Sequence, residues 1–145
     1  MKATFTIPGE PKPKGRPRSA FNNGKKRIYT PEPTATYENY VKYTYHNDCG
    51  IRFPDDTPLQ AIITAEFAIP KATSNKRKQD ILNGNSYYTK KIDTDNIAKT
   101  ILDALNGVAY RDDSQITDLI VKKRYGEIPK VHVEISEINS NNTIN

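Results

Sequence analysis

The stretch from Leu59 to Ile69 restricts the fold most, because it is the clearest β-strand in the sequence. Apolar side chains occupy every second position, at Leu59, Ala61, Ile63, Ala65, Phe67 and Ile69. Polar residues fill the positions between them, except at Ile62 and Ala68. Period-two alternation predicts a strand, and the two exceptions predict a central strand with both faces partly covered. Pro70 closes it.

The other segments predict a small α+β (mixed α/β) domain. The order is expected to begin with a strand at Phe5 and Ile7, a basic loop over 9–30 and a helix from about Thr34 to before Gly50. The central strand follows, and then a basic segment over 71–91 with a short helix starting at Ser74 or Asn75. A helix from about Asp95 to Asn106 and strands over 116–125 and 131–138 complete the order. The loop is either extended throughout or folded as a hairpin at Asn23-Gly24. The last two strands are expected to pair as an antiparallel hairpin.

This order predicts one domain over residues 1–138, with helices packed on a mixed or antiparallel sheet. Residues 139–145 are polar and are expected to form a disordered tail. No run approaches the roughly 18–20 apolar residues of a membrane span. A single cysteine, Cys49, excludes an intrachain disulfide. These features predict a soluble, reduced protein of the cytoplasm, with no membrane partner.

Positive charge is concentrated in two segments of a chain with net charge +5. Glu10 is the only acidic residue in 1–30, and Asp80 is the only one in 71–91. Such clusters attract polyanions, although a solvated basic surface explains one cluster equally well. Two clusters that flank an acidic centre favour a nucleic-acid partner. The predicted DNA-binding residues are Lys12, Lys14, Arg16, Arg18, Lys25, Lys26, Arg27, Lys76, Arg77 and Lys78.

The acidic centre lies at the two ends of the predicted helix. Asp93 and Asp95 precede it, with Asp95 or Asn96 as the expected N-cap, and Asp113 follows it. The helix is roughly 17 Å long, and an extended chain from Gly107 to Asp113 covers about 20 Å. The returning chain is therefore long enough to carry Asp113 back to Asp93 and Asp95.

A cluster of these carboxylates would be electrostatically unfavourable without a cation. Oxygen ligands without cysteine or histidine indicate Mg²⁺, with Mn²⁺ as a substitute. A hard cation between basic segments suits phosphodiester hydrolysis, since it activates water and neutralises developing charge. Lys99, one turn into the helix, would direct its ammonium group to the same phosphate.

The same residues resemble the RusA family of Holliday junction resolvases. The matching sequence is Asp93-Thr94-Asp95-Asn96-Ile97-Ala98-Lys99, then Leu102-Asp103-Ala104-Leu105-Asn106-Gly107, then Tyr110-Arg111-Asp112-Asp113-Ser114-Gln115-Ile116. Ile97 stands where the family usually has leucine. The basic loop, with Lys14-Gly15-Arg16-Pro17-Arg18, is also similar to that of family members from phages and prophages.

The resemblance implies a RusA-like fold and a homodimeric, Mg²⁺-dependent endonuclease that nicks four-way DNA junctions symmetrically in recombination and repair. It assigns the metal site to Asp93, Asp95 and Asp113, and the active-site lysine to Lys99. Asp103 is interpreted as structural, in a bridge to Lys99.

Two alternatives remain open on the sequence. In the first, the protein is a non-catalytic basic DNA-binding protein, and its aspartates only cap and bridge the helix. In the second, it is an Mg²⁺ phosphohydrolase for small phosphates, although the basic segments exceed what such a substrate needs. Metal titration separates the first alternative from the nuclease, whereas salt dependence does not, because both proteins would bind DNA electrostatically.

Overall fold

The computed structural model describes residues 1–13, 15, 18–29 and 32–138. The strands in this part of the chain are β1 (Lys2–Pro8), β2 (Arg18–Asn22), β3 (Lys25–Tyr29), β4 (Leu59–Ala68), β5 (Ile116–Gly126) and β6 (Lys130–Glu137). The helices are α1 (Glu32–Asp48), α2 (Asn75–Leu82) and α3 (Thr94–Ala104), and a 3₁₀ turn spans Asp113–Gln115. The predicted tail, 139–145, lies outside the described residues.

A mixed four-stranded sheet forms one layer of the protein, with the strand order β1-β6-β4-β5. β6 runs antiparallel to both β1 and β4, whereas β4 and β5 are parallel. β4 therefore lies inside the sheet with a partner on each side, as the alternation from Leu59 predicted. The α+β class is confirmed.

The predicted hairpin of the last two strands is wrong, because β4 lies between β5 and β6. In β6, Val131, Val133 and Ile135 are fully buried, which suits an inner strand. In β5, Leu119 and Ile120 remain 46% and 43% exposed, which suits an edge strand. We predicted direct pairing because few residues separate the two strands in sequence. The apolar residues of β6 instead require an inner position, whereas β5 tolerates the edge, so β4 lies between them.

The core lies between one face of the sheet and the helices α1 and α3. Phe5, Val133 and Ile63 occupy adjacent positions on β1, β6 and β4, and all three are buried. The helices cover this face with buried side chains, at Tyr37, Val41, Tyr45, Ile97 and Ile101. Each fully buried aliphatic or aromatic side chain contributes about 1.5–3 kcal/mol of hydrophobic stabilisation. The core therefore fixes α3 against the sheet.

Local signals in the sequence are confirmed at two places. Ser74 caps α2, and its hydroxyl oxygen accepts a hydrogen bond from the Arg77 backbone at 3.2 Å. β2 and β3 form a separate two-stranded ribbon that turns at Asn23 and Gly24, both with positive φ, as a two-residue hairpin requires. None of the helices in the described ranges combines the length and apolar character of a membrane-spanning segment.

The parallel pairing of β4 with β5 determines where the acidic residues lie. Parallel neighbours require a long crossover connection, which here runs over residues 69–115 and contains α2 and α3. Asp93, Asp95, Lys99, Asp103 and Asp113 all belong to this crossover.

Candidate active site

The start of α3 presents two carboxylates on the surface. Asp93 is the N-cap residue, with extended backbone dihedral angles, and its side chain makes no capping hydrogen bond. The predicted cap at Asp95 or Asn96 is therefore wrong by two or three positions. Asp95 lies in the first helical turn, and both aspartate side chains are exposed. Negative charge is stabilised there by the helix dipole.

Amphipathic packing explains why Asp95 and Lys99 of α3 face outward. Ile97, Ile101 and Leu102 are buried against the core, so Asp95 and Lys99 point away from it. Across the described residues, neither Asp93 nor Asp95 forms an ion pair with Lys99. Asp93 therefore occupies the cap position through its backbone alone, and within the described residues Asp95 is not bridged to Lys99.

A cleft of about 300 Å³ lies beside the start of α3. Its described lining residues include Lys91, Ile92, Asp93 and Asn96 from the crossover, together with Pro13 from the basic N-terminal segment. The fold therefore brings the basic loop next to the first acidic pair. The Asp93 carboxylate and the Lys91 side chain both line this cleft, and cationic segments beside it attract phosphate groups.

Asp113 lies at the opposite end of α3. Its backbone amide donates to Asn106 Oδ1 at 2.8 Å, and its carboxyl group shares a hydrogen bond with that of Asp103. Asp103 is about 12 Å from Asp95 along the helix axis. Within one chain, Asp113 therefore lies near Asp103 and Asn106, and not beside Asp93 and Asp95 as predicted. The chain is long enough, but it turns back onto the C-terminal end of the helix.

The Asp103–Asp113 pair is electrostatically unfavourable without a cation. Partial burial, the hydrogen bond with Asp103 and the charges of Asp103 and Asp112 together raise the pKa of Asp113 above its ordinary value. Asp112 behaves differently, because hydrogen bonds from Ser114 lower the pKa of its carboxyl group. Asp112 is the cap of the 3₁₀ turn, and its carboxylate accepts from the Ser114 backbone amide.

Gln115 and Tyr110 hold the acidic turn in place. The Gln115 side chain accepts from the Arg111 backbone amide at 3.0 Å and donates to the carbonyl oxygens of Pro54 and Thr57, both at 3.1 Å. The Tyr110 hydroxyl donates to the Leu102 carbonyl oxygen at 2.5 Å. Sequence reasoning gave neither residue a role, although both belong to the quoted motif.

Many of the predicted DNA-binding residues lie on the surface. Lys12, Lys25, Lys26, Lys76 and Arg77 are exposed, and Lys78 is partly exposed. Arg18 and Arg27 belong to the β2–β3 ribbon. Lys14 and Arg16 lie outside the described residues.

The donor chemistry of the acidic residues fits a hard divalent cation. The oxygen atoms of Asp93, Asp95, Asp103 and Asp113 are the ligands that Mg²⁺ prefers. Within the described ranges, however, no group of three or more His, Cys, Asp or Glu side chains is close enough together to hold a metal ion. One chain therefore offers carboxylates in pairs at the two ends of α3.

Comparison with known proteins identifies the class as a nuclease. The family model "Endodeoxyribonuclease RusA" matches residues 8–136, which cover most of the chain. The chain belongs to the RusA family and is therefore an endodeoxyribonuclease. It is also similar to a Bacillus subtilis (strain 168) protein named "Uncharacterized protein YqaN", with 36% identity over 141 residues, 94% of this chain and 96% of that protein. The resemblance drawn from the acidic motif is confirmed.

Proposed function

We propose that this protein resolves four-way (Holliday) DNA junctions by paired, symmetric phosphodiester cleavage in recombination and repair. One observation carries the proposal: Asp93 and Asp95 are exposed at the start of α3, beside a cleft that Pro13 of the basic segment also lines. Membership of the RusA family supports branched DNA as the substrate. We place the reaction in the cytoplasm of a bacterium or a phage-infected cell.

The proposed cofactor is Mg²⁺, with Mn²⁺ as a substitute, and Asp93, Asp95 and Asp113 would hold it. When bound, the cation supplies activation of a water molecule and neutralisation of charge on the phosphate. The exposed ammonium group of Lys99 would bind the same phosphate and orient it. The basic loop, the β2–β3 ribbon and α2 would hold the DNA arms through phosphate contacts.

The separation of the carboxylates makes a homodimer part of the proposal. Metal–oxygen bonds to Mg²⁺ are about 2.1 Å long, whereas about 12 Å separates the two ends of α3 that carry the aspartates. One cation can contact all three carboxylates if Asp93 and Asp95 of one protomer face Asp113 of the partner subunit. A two-fold dimer then has two such sites, as paired nicks require.

The direct test is cleavage of a synthetic four-way junction. With Mg²⁺, we expect paired nicks in strands of like polarity, whereas a linear duplex of the same sequence remains intact. Chelation of the cation should stop cleavage while leaving junction binding measurable in a gel-shift assay. If the wild-type protein cleaves no branched DNA in Mg²⁺ or Mn²⁺, the proposed function is wrong.

Mixed dimers test whether two protomers share each site. Chains carrying Asp93→Asn and chains carrying Asp113→Asn should each be inactive alone. After co-expression, a mixed dimer has one site with both substitutions and one with neither, so single-strand nicking should return to about a quarter of the wild-type rate. A mixture as inactive as either variant would contradict the shared site but not the nuclease activity.

A further inference from the structure

An aromatic stack attaches the end of the basic segment to the sheet. The Tyr88 ring lies parallel to Phe67 with centroids 3.8 Å apart, and its edge meets Tyr125 at 5.4 Å. The Tyr88 hydroxyl donates to the Lys91 carbonyl oxygen at 2.7 Å. Lys123 donates to the Lys90 carbonyl oxygen and lies 5.3 Å from the Tyr88 ring centroid. The segment over 87–91 is thereby fixed on β4 and β5.

Tyr87 has a different environment from its neighbour. In an extended segment adjacent side chains point in opposite directions, and Tyr87 is 57% exposed where Tyr88 is packed. The Arg124 guanidinium group lies 4.6 Å from the Tyr87 ring centroid. Such cation–π contacts contribute about 0.5–1 kcal/mol at exposed sites. An exposed aromatic ring held by an arginine is a stacking surface for a nucleobase.

The surroundings of Tyr87 are cationic. Lys90, Lys91 and Lys122 are exposed, and Lys123 and Arg124 are partly exposed. The carboxylate of Glu10 is also near the stack, where its Oε1 accepts from the Ala68 backbone amide at 3.3 Å. Positive charge therefore predominates, and it complements the phosphates on either side of a stacked base.

The Tyr87–Arg124 surface is close in sequence to the candidate active site. Lys91 lines the cleft with Asp93. An extended chain from Tyr87 to Lys91 covers at most about 13 Å, which a DNA strand spans in about four nucleotides at 3.4 Å each. A strand that enters the cleft can therefore also contact Tyr87.

We propose that Tyr87 and Arg124 form a binding site for an unpaired base at the branch point of the DNA, with Lys90 and Lys122 on its flanking phosphates. This inference rests on the proposed junction substrate and adds a source of its selectivity. A base within an intact duplex is already stacked on both faces, so it has no face to offer Tyr87. A strand exchanged at a branch point can present one.

The test compares the affinities of Tyr87 variants for a four-way junction and for a linear duplex, measured by fluorescence anisotropy without divalent cations. Tyr87→Ala should weaken junction binding by about tenfold, since base–aromatic stacking has that effect on alanine substitution, and change duplex binding less than about twofold. Tyr87→Phe keeps the ring and should behave as wild type. Tyr43→Ala removes a tyrosine of similar exposure, 64%, from α1 and should leave both affinities unchanged.

Two results would overturn the base site. One is junction binding by Tyr87→Ala that equals wild type, and the other is an equal loss on junction and duplex, which would indicate a phosphate contact or a folding defect. Both leave the proposed function intact, because wild-type selectivity for the junction is measured in the same series. Wild-type protein without that selectivity would overturn the proposed function, and the base site with it.

Discussion

Replacing Asp95 with asparagine is expected to reduce junction cleavage by at least about 100-fold, the scale on which a single electrostatic contact of an active site operates. Asparagine keeps the size of the side chain but removes the charge that would hold a cation. Asp95 is exposed, and Asp93, not Asp95, is the cap of α3. The substitution should therefore lower folding stability by only about 0.3–1 kcal/mol, the size of one lost helix-dipole contact. Junction affinity should be retained or improved, since a negative charge near the phosphate is gone.

Cleavage rate, junction affinity and melting temperature should all be measured on the same preparation of Asp95→Asn. The matched control is Asp118→Asn, which removes an exposed aspartate from β5 outside the acidic crossover and should cleave as wild type. Cleavage by Asp95→Asn at the wild-type rate would remove Asp95 from the proposed site. A large fall in melting temperature would instead show that Asp95 acts on folding.

Replacing Gln115 with leucine should produce the largest loss of stability predicted for this protein. The Gln115 side chain is buried and satisfies the backbone amide of Arg111 and the carbonyl oxygens of Pro54 and Thr57. Leucine fills a similar volume but leaves these groups without partners, at about 1–3 kcal/mol for each one that stays buried. We expect a loss of about 3 kcal/mol, or about 10 °C in melting temperature for a domain of this size.

Thermal and urea unfolding, monitored by circular dichroism, would measure this loss. Gln79→Leu is the control, because Gln79 is exposed on α2 and its substitution should change stability by less than about 0.5 kcal/mol. If Gln115→Leu is as stable as wild type, water replaces the lost hydrogen bonds. The turn that carries Asp113 would then be held by Tyr110 and Asn106 instead.

Sequence patterns predicted the elements of this fold better than their arrangement. Alternation identified β4 and its central position, and Ser74 identified the start of α2, because both signals are local. The pairing of β5 and β6 was predicted incorrectly, because strand order depends on which strands can lie between two neighbours in the sheet and which can form its edge. Val133 and Ile135 require an inner strand, whereas Leu119 and Ile120 tolerate an edge.

The candidate site shows the same division between local and long-range information. Spacing placed Asp93 and Asp95 at the start of the helix and Lys99 one turn into it, and all three side chains are exposed there. A chain-length estimate shows only that Asp113 can reach Asp95, not that it does. The direction of its return is determined by Asn106 and Gln115, which bind the backbone of the turn. Their hydrogen bonds join residues far apart in sequence, such as Gln115 and Pro54, and periodicity carries no information about them.

The crossover between β4 and β5 has a consequence for how such proteins can be recombined. The acidic residues lie within the one uninterrupted segment over 69–115, whereas the basic loop and the β2–β3 ribbon precede β4. The proposed metal ligands are thus encoded after β4, together with α2 and the Tyr87–Arg124 surface, whereas the other proposed DNA contacts are encoded before β4. Exchanging the block after β4 between two relatives would therefore transfer the proposed metal site and the Tyr87–Arg124 surface together, and would leave the basic loop and the β2–β3 ribbon of the recipient unchanged.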